Sequence, residues 1–168
     1  MDKIPSFTID HTKLEPGIYL SRINYIDDHS IYTYDVRMLK PNTEPVMDTS
    51  VIHTLEHLGA TFIRAVCGDE MDNECVYFGP MGCRTGFYYI TSKRLDPDER
   101  KELFKDMFLW IANYEGEVPG ASAKECGNYL DLNLNMAKYY AKMFLERMEK
   151  FTEKNYNYPK DWYGRYYF

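Results

Sequence analysis

Two histidines four residues apart, with a glutamate between them, stand in the run His53-Thr54-Leu55-Glu56-His57. A helix through this run puts both imidazoles on one face, near enough for their nitrogens to reach a single ion. Glu56 then lies about 60° around the axis from His53, within reach of whatever the ion binds. The order H-x-x-E-H is the inverted form of the zinc-protease helix motif and needs a third ligand from elsewhere. The alternative is that the three residues are only the solvated side of an amphipathic helix.

Four cysteines, at 67, 75, 83 and 126, can supply that ligand. Cys126, in a glycine-flanked loop ahead of a helix, is the best candidate; Cys67, Cys75 and His29 compete more weakly. Two imidazoles and one thiolate leave a tetrahedral ion one open position for water or substrate, as catalytic rather than structural sites do. Cys83 stands in Gly79-Pro80-Met81-Gly82-Cys83-Arg84-Thr85-Gly86, where the glycines let the backbone approach a ligand and present the thiol on a tight turn. Arg84 beside it favours the thiolate; the alternative is an inert half-buried thiol. Glu56 and Cys83 around an open metal position suit proton transfer next to a carbonyl. They suit peptide hydrolysis less well, because hydrolysis leaves Cys83 idle.

The elements that must hold these groups follow from periodicity. A helix from Asp48 to Val66 gathers Val51, Leu55, Leu58, Phe62 and Val66 on one apolar stripe, turns His53 and His57 away from the core, and carries Ala60 and Arg64 on the histidine face. Its N-cap is Asp48 or Thr49. Residues Gly17 to Ile26 are β-rich and lead into a turn at Asp27-Asp28-His29-Ser30. Tyr32, Tyr34, Val36 and Met38 alternate with Thr33, Asp35 and Arg37 as in a half-buried strand, which puts Arg37 on its polar face. Cys75 to Phe78 and Phe87 to Ile90 are two further strands, and the acidic run Cys67 to Glu74 between helix and strand is expected as a solvated loop. Asp96-Pro97 caps a helix to about Tyr114 that buries Leu103, Phe104, Met107, Phe108 and Ile111. A last helix, about Asp131 to Phe151, buries Leu134, Ala137, Ala141, Phe144 and Met148. Residues 2 to 16 are polar and aperiodic, a mobile terminus or an arm laid into a site, and the aromatic tail from Asn155 to Phe168, with Trp162, packs on the body or on a second subunit.

A chain of 168 residues without repeat or linker is most simply one domain, residues 1–168. A net charge of -6 with no basic stripe argues against a nucleic-acid partner, and no apolar run approaches a membrane span or a signal sequence. The expected location is the cytoplasm, with the cysteines reduced.

Six blocks, in order, resemble one family: Ser6-Phe-Thr-Ile-Asp-His11-Thr-Lys13, Asp35-Val-Arg37, Lys40-Pro41-Asn42, His53-Thr-Leu-Glu-His-Leu58, Gly79 to Gly86, and Glu125-Cys-Gly-Asn-Tyr129. Together they look like the LuxS family of S-ribosylhomocysteine lyases. The resemblance implies an α+β fold, an antiparallel β-sheet packed against helices in a LuxS/processing-peptidase-like metalloenzyme fold, assembled as a homodimer with shared active sites. It implies one divalent metal per subunit on His53, His57 and Cys126, Fe2+ by expectation, with Zn2+ or Co2+ able to substitute. The implied reaction cleaves S-ribosylhomocysteine to homocysteine and 4,5-dihydroxy-2,3-pentanedione, the precursor of autoinducer-2 in quorum sensing, with Glu56 and Cys83 as acid and base. Ser6, His11 and Arg37 match residues at the ribose end of the substrate, and Arg64 matches an arginine at the homocysteine end. Two stretches depart from the family pattern: Tyr77-Phe78-Gly79, where an acidic residue and a serine are expected, and Leu132-Asn133, where a His-Asp pair is usual. The rival readings are an H-x-x-E-H metallopeptidase, which needs a downstream carboxylate as third ligand, and a non-enzymatic zinc module with four protein ligands.

Overall fold

Gly17–Ile26 (β1) and His29–Arg37 (β2) form an antiparallel hairpin, tightened at Asp27, whose φ of 51° lies in the left-handed region that aspartate tolerates. Cys75–Pro80 (β3) and Gly86–Thr91 (β4) form a second hairpin, and β4 pairs antiparallel with β2 to give one sheet in the order β1-β2-β4-β3. The structure, a computed structural model, describes residues 7–159. Four α-helices accompany the sheet: Thr49–Thr61 (α1), Asp69–Glu74 (α2), Pro97–Ala112 (α3) and Leu134–Met148 (α4). This is the expected α+β class with an antiparallel sheet.

Alternation along the strands decides what each face meets. Ile18, Tyr34, Val36, Phe78, Phe87 and Tyr89 point to one side, where they share a core with Leu55 and Leu58 of α1, Phe104 and Phe108 of α3, and Phe144 of α4. Each such side chain removed from water contributes roughly 1.5–3 kcal/mol, so this interface fixes α1 against the sheet. The α3 helix starts where its sequence says, with the Asp96 side chain accepting from the Asp98 and Glu99 backbone N–H groups while Glu99 accepts from the Asp96 N–H. Arg100, buried one turn on, donates to the Ile18 and Tyr156 carbonyls and lies over the Tyr34 and Tyr156 rings, and burial pushes its guanidinium below its ordinary value. It ties the C-terminal segment to β1 and α3.

The second face of the sheet differs from the expectation of a half-solvated strand. Asp35 and Arg37 of β2 are only 1% and 3% exposed. Chain ends cover them: Ile9 and Leu14 from the N-terminal segment and Tyr158 from the C-terminal one form a small cluster with Tyr19 of β1. The segment before Pro16 is therefore anchored by two apolar residues that its polar composition hides. Ser6 and the tail beyond Pro159 lie outside the described residues.

Three further expectations change. The acidic run is not a loop but α2, six residues with Asp69, Glu70 and Asp72 in the first turn, where carboxylates favour the positive end of the helix. The His53 helix does not continue as α-helix to Val66. Phe62–Val66 is a π-helical turn closed by Cys67 N–H donating to the Phe62 carbonyl, and the extra residue rotates Val66 off the apolar stripe into solvent. The last helix begins at Leu134 and ends at Met148, leaving Asp131 to Asn133 to the loop that carries Cys126.

Candidate metal centre and proton-transfer site

α1 lays its apolar stripe on the sheet and keeps the opposite side for its two histidines. Over that side runs the loop from Val118 to Asn133, made of successive turns in which Cys126 N–H donates to the Ser122 carbonyl at 2.9 Å. Its far end is pinned to α1: Asn133 N–H donates to Thr54 Oγ1 at 2.7 Å, and the buried Thr54 hydroxyl donates to the Ser50 carbonyl. Asn133 also caps α4 through its side chain.

This loop aims both imidazoles. A backbone carbonyl can only accept, so His53 carries its proton on Nδ1 and donates it to the Asp131 carbonyl at 3.0 Å, while His57 donates from Nδ1 to the Pro119 carbonyl at 2.7 Å. Both Nε2 lone pairs are left to bind a metal, the arrangement in which carbonyl partners fix tautomer and ring direction. The rings meet edge to face at 4.6 Å between centroids. Cys126 Sγ sits 3.3 Å from His53 Nε2, close to the roughly 3.5 Å that N and S ligands span on a tetrahedral ion. The ligand atoms of His53, His57 and Cys126 lie within 4.8 Å of one another, the one such metal-holding group among the described residues. The donor set and its geometry thus fit a borderline divalent cation, and the competitors His29, Cys67 and Cys75 are not in the group.

Gly120 makes the loop's approach workable. Its φ is +76°, and a Cβ there would stand 3.2 Å from His57 Nδ1. From sequence Gly116, Pro119 and Gly120 mark only the loop that carries Cys126, and neither the contact of Gly120 with His57 nor the two carbonyls has a sequence signal. Glu56 and His57 border an open cleft of about 310 Å³ with Ala60, Thr61, Pro119 and Gly120.

Cys83 belongs to a second group. The β3–β4 turn, closed by Arg84 N–H to the Met81 carbonyl and Met81 N–H to the Gly86 carbonyl, presents it beside Arg84 at a φ of 59°. Arg37 Nη1 donates to Cys83 Sγ at 3.4 Å and to Thr85 Oγ1 at 2.6 Å, and the Thr85 hydroxyl lies 3.1 Å from the sulfur. Burial pushes the thiol up, but the Thr85 hydrogen bonds and the Arg37 guanidinium outweigh it and hold Cys83 below the ordinary thiol value. The cation that does this is Arg37, not the sequence neighbour Arg84. Arg37 in turn donates from Nε and Nη2 to both oxygens of Asp35, at 3.1 and 2.7 Å. Burial works against its charge, yet Asp35 holds the guanidinium above its ordinary value.

His11 donates from Nδ1 to the Ile9 carbonyl at 2.9 Å, which makes Nε2 the acceptor nitrogen of the ring. Arg64, displaced by the π-helical turn, pairs with Asp72 at 2.9 Å and reaches the Cys75 and Val76 carbonyls. Among the described residues no hydrogen bond or ion pair links the histidine–cysteine group to the Cys83–Arg37 group.

The profile of the S-ribosylhomocysteinase (LuxS) family matches residues 4–155. The chain belongs to the LuxS family. It is 49% identical over 160 residues to the S-ribosylhomocysteine lyase of Finegoldia magna, covering 95% of this chain and 100% of that protein. The S-ribosylhomocysteine lyase of Clostridium acetobutylicum is matched to the same extent, and that of Borrelia garinii subsp. bavariensis is 46% identical over 159 residues, again 95% and 100% covered. The six sequence blocks of the LuxS resemblance fall within the matched region, and its metal positions are those the fold gathers.

Proposed function

We propose that this protein is a metal-dependent carbon–sulfur lyase that cleaves S-ribosylhomocysteine to homocysteine and 4,5-dihydroxy-2,3-pentanedione. The observation that carries the reading is a pair of imidazoles aimed by loop carbonyls at one cysteine sulfur, next to a cleft bordered by Glu56, in a chain of the LuxS family. His53, His57 and Cys126 would hold the cation, which when bound supplies Lewis acidity toward sugar oxygens at its open position. Ferrous iron is the proposed metal, and the two-nitrogen, one-sulfur set also suits zinc or cobalt.

The chain's own groups move protons. Opened ribose presents an aldehyde; a base takes the proton of the neighbouring carbon while an acid protonates the aldehyde oxygen, and the neighbouring hydroxyl then gives up its proton as the former carbonyl carbon gains one. The carbonyl thereby migrates by one position, and a second round brings it to where loss of the next C–H proton expels homocysteine as thiolate. Cys83, whose thiolate form Arg37 and Thr85 favour, is the proposed base at carbon, with Glu56 as its acid partner. Ser6, His11 and Arg37 are assigned to the ribose end and Arg64 to the homocysteine end. The departures at Tyr77-Phe78 and Leu132-Asn133 leave the proton-transfer groups intact.

The proposed assembly is a cytoplasmic homodimer of one-domain subunits sharing their sites. It is supported by exposed Tyr129, Leu130, Met136 and Tyr139 around the Cys126 loop and the start of α4. No helix among the described residues is long and apolar enough to cross a membrane. The metallopeptidase reading is not favoured, because the gathered group contains no carboxylate. Iron-loaded protein kept without oxygen should release from S-ribosylhomocysteine a thiol titratable with a chromogenic disulfide. Absence of thiol release removes the proposal.

A further inference from the structure

The C-terminal segment beyond the family-matched residues reaches the back of the Cys83 group. It is led there by contacts that leave it little freedom: Asn155 Nδ2 donates to the Pro16 carbonyl at 2.8 Å, and Tyr156 lies against Arg100. Tyr158 then enters the buried cluster behind the sheet, 5% exposed, stacked on Tyr19 with ring centroids 4.7 Å apart and planes within 9°. Its hydroxyl donates to Asp35 Oδ2 at 2.9 Å, the same oxygen that accepts from Arg37 Nη2 at 2.7 Å. A continuous chain thus runs from the Tyr158 hydroxyl through Asp35 and Arg37 to the Cys83 sulfur.

We propose that Tyr158 is a positioning residue for proton transfer: by capping Asp35 it holds the Arg37 guanidinium with Nη1 turned onto Cys83, so that the C-terminal segment completes the reactive thiolate. The inference rests on the assignment of Cys83 to proton transfer. Its physical basis is the geometry of the fork. A carboxylate that accepts Nε and Nη2 side by side fixes the guanidinium plane, and a buried carboxylate missing a donor can rotate or admit water. Rotation swings Nη1 away from sulfur and from Thr85. Burial and the adjacent Asp35 push the Tyr158 hydroxyl well up, so it remains a donor across the working pH range. The other titratable groups facing Asp35 are Tyr19 on β1 and Tyr88 on β4, both held up chiefly by burial, and Arg37 on its own strand. Thr85 and Tyr88 are the further groups at Cys83, the Ser21 side chain hydrogen-bonds the Tyr158 hydroxyl, and Glu15 accepts from the Tyr19 hydroxyl through its carbonyl.

Tyr158→Phe removes the hydroxyl and keeps the ring stack, and Tyr19→Phe removes a neighbouring hydroxyl that does not touch Asp35. Cys83 alkylation by iodoacetamide, followed against pH in the metal-loaded protein and resolved peptide by peptide, reads the thiolate directly. In Tyr158→Phe the midpoint of that profile should rise by about half a pH unit, about threefold less thiolate on the acid side. The acid limb of kcat should move with it, while Tyr19→Phe keeps the wild-type midpoint. An unchanged midpoint in Tyr158→Phe, or equal shifts in both variants, overturns the proposal. Thiol release by the wild-type protein tests the reaction separately, and the alkylation profile is readable whether or not that reaction occurs.

Discussion

Replacing Arg37 by methionine separates what the buried Arg37–Asp35 pair does for stability from what it does for Cys83. The substitution keeps most of the side-chain volume but leaves Asp35, 1% exposed, without its cation and, among the side chains of the described residues, with Tyr158 alone still donating to it. Removing one partner of such a pair costs about 3–5 kcal/mol. In a chain of 168 residues, at roughly 3 °C per kcal/mol, the melting temperature should fall by about 10 °C. The double variant Arg37→Met, Asp35→Leu removes the stranded charge and should recover most of that loss. The residual deficit is about 1–2 kcal/mol, because Thr85 and Tyr158 each lose a hydrogen-bond partner. Cys83 should not recover. Burial still pushes its thiol up, and only Thr85 remains to oppose it, so both variants should alkylate slowly at neutral pH and turn over poorly. Calorimetry and pH-resolved alkylation of the two proteins provide the comparison. If the single variant melts with the double one, or if the double variant retains the wild-type thiolate, the buried pair does not act as described.

Cys126→Ala should lose the metal, whereas Glu56→Gln should keep it and lose turnover by a factor of about 100 or more; metal content beside thiol release reads both. Gly120→Ala should lower metal affinity several-fold with little change in the rest of the fold, since its Cβ would crowd His57 at a φ that alanine adopts only under strain, and competitive chelation measures this. The Arg147 hydrogen bonds hold the Glu44 carboxyl below its ordinary value, so its contribution to stability is present above the ordinary carboxylate range and is lost as pH falls through that lowered value. Glu44→Gln should therefore cost about 1 kcal/mol at pH 7 and flatten the acid limb of a melting-versus-pH series.

What could be read from sequence was what repeats locally. Period-two and period-3.6 patterns locate the strands, α3 and the histidine helix, and Asp96-Pro97-Asp98-Glu99 spells out a cap that the fold uses. Cys126 as the third metal-group member was legible from its loop and from resemblance. Long-range partners were not. Asp35 and Arg37 have the alternation of a half-wet strand, and only chain ends more than a hundred residues apart in sequence bury them. The aim of the imidazoles depends on the carbonyls of Pro119 and Asp131, which have no side-chain signature. The π-helical turn adds one residue where the apolar stripe appears continuous, so Val66 and Arg64 end up away from their predicted places. The short α2 lacks an apolar period because it packs little and is favoured by charges at its start.

X-ray absorption at the metal edge of the loaded protein, with and without S-ribosylhomocysteine, tests the centre most directly. Two imidazole nitrogens, one sulfur and an exchangeable light-atom ligand that changes when substrate is added are the predicted result. A second sulfur, or four protein ligands unchanged by substrate, would contradict the account.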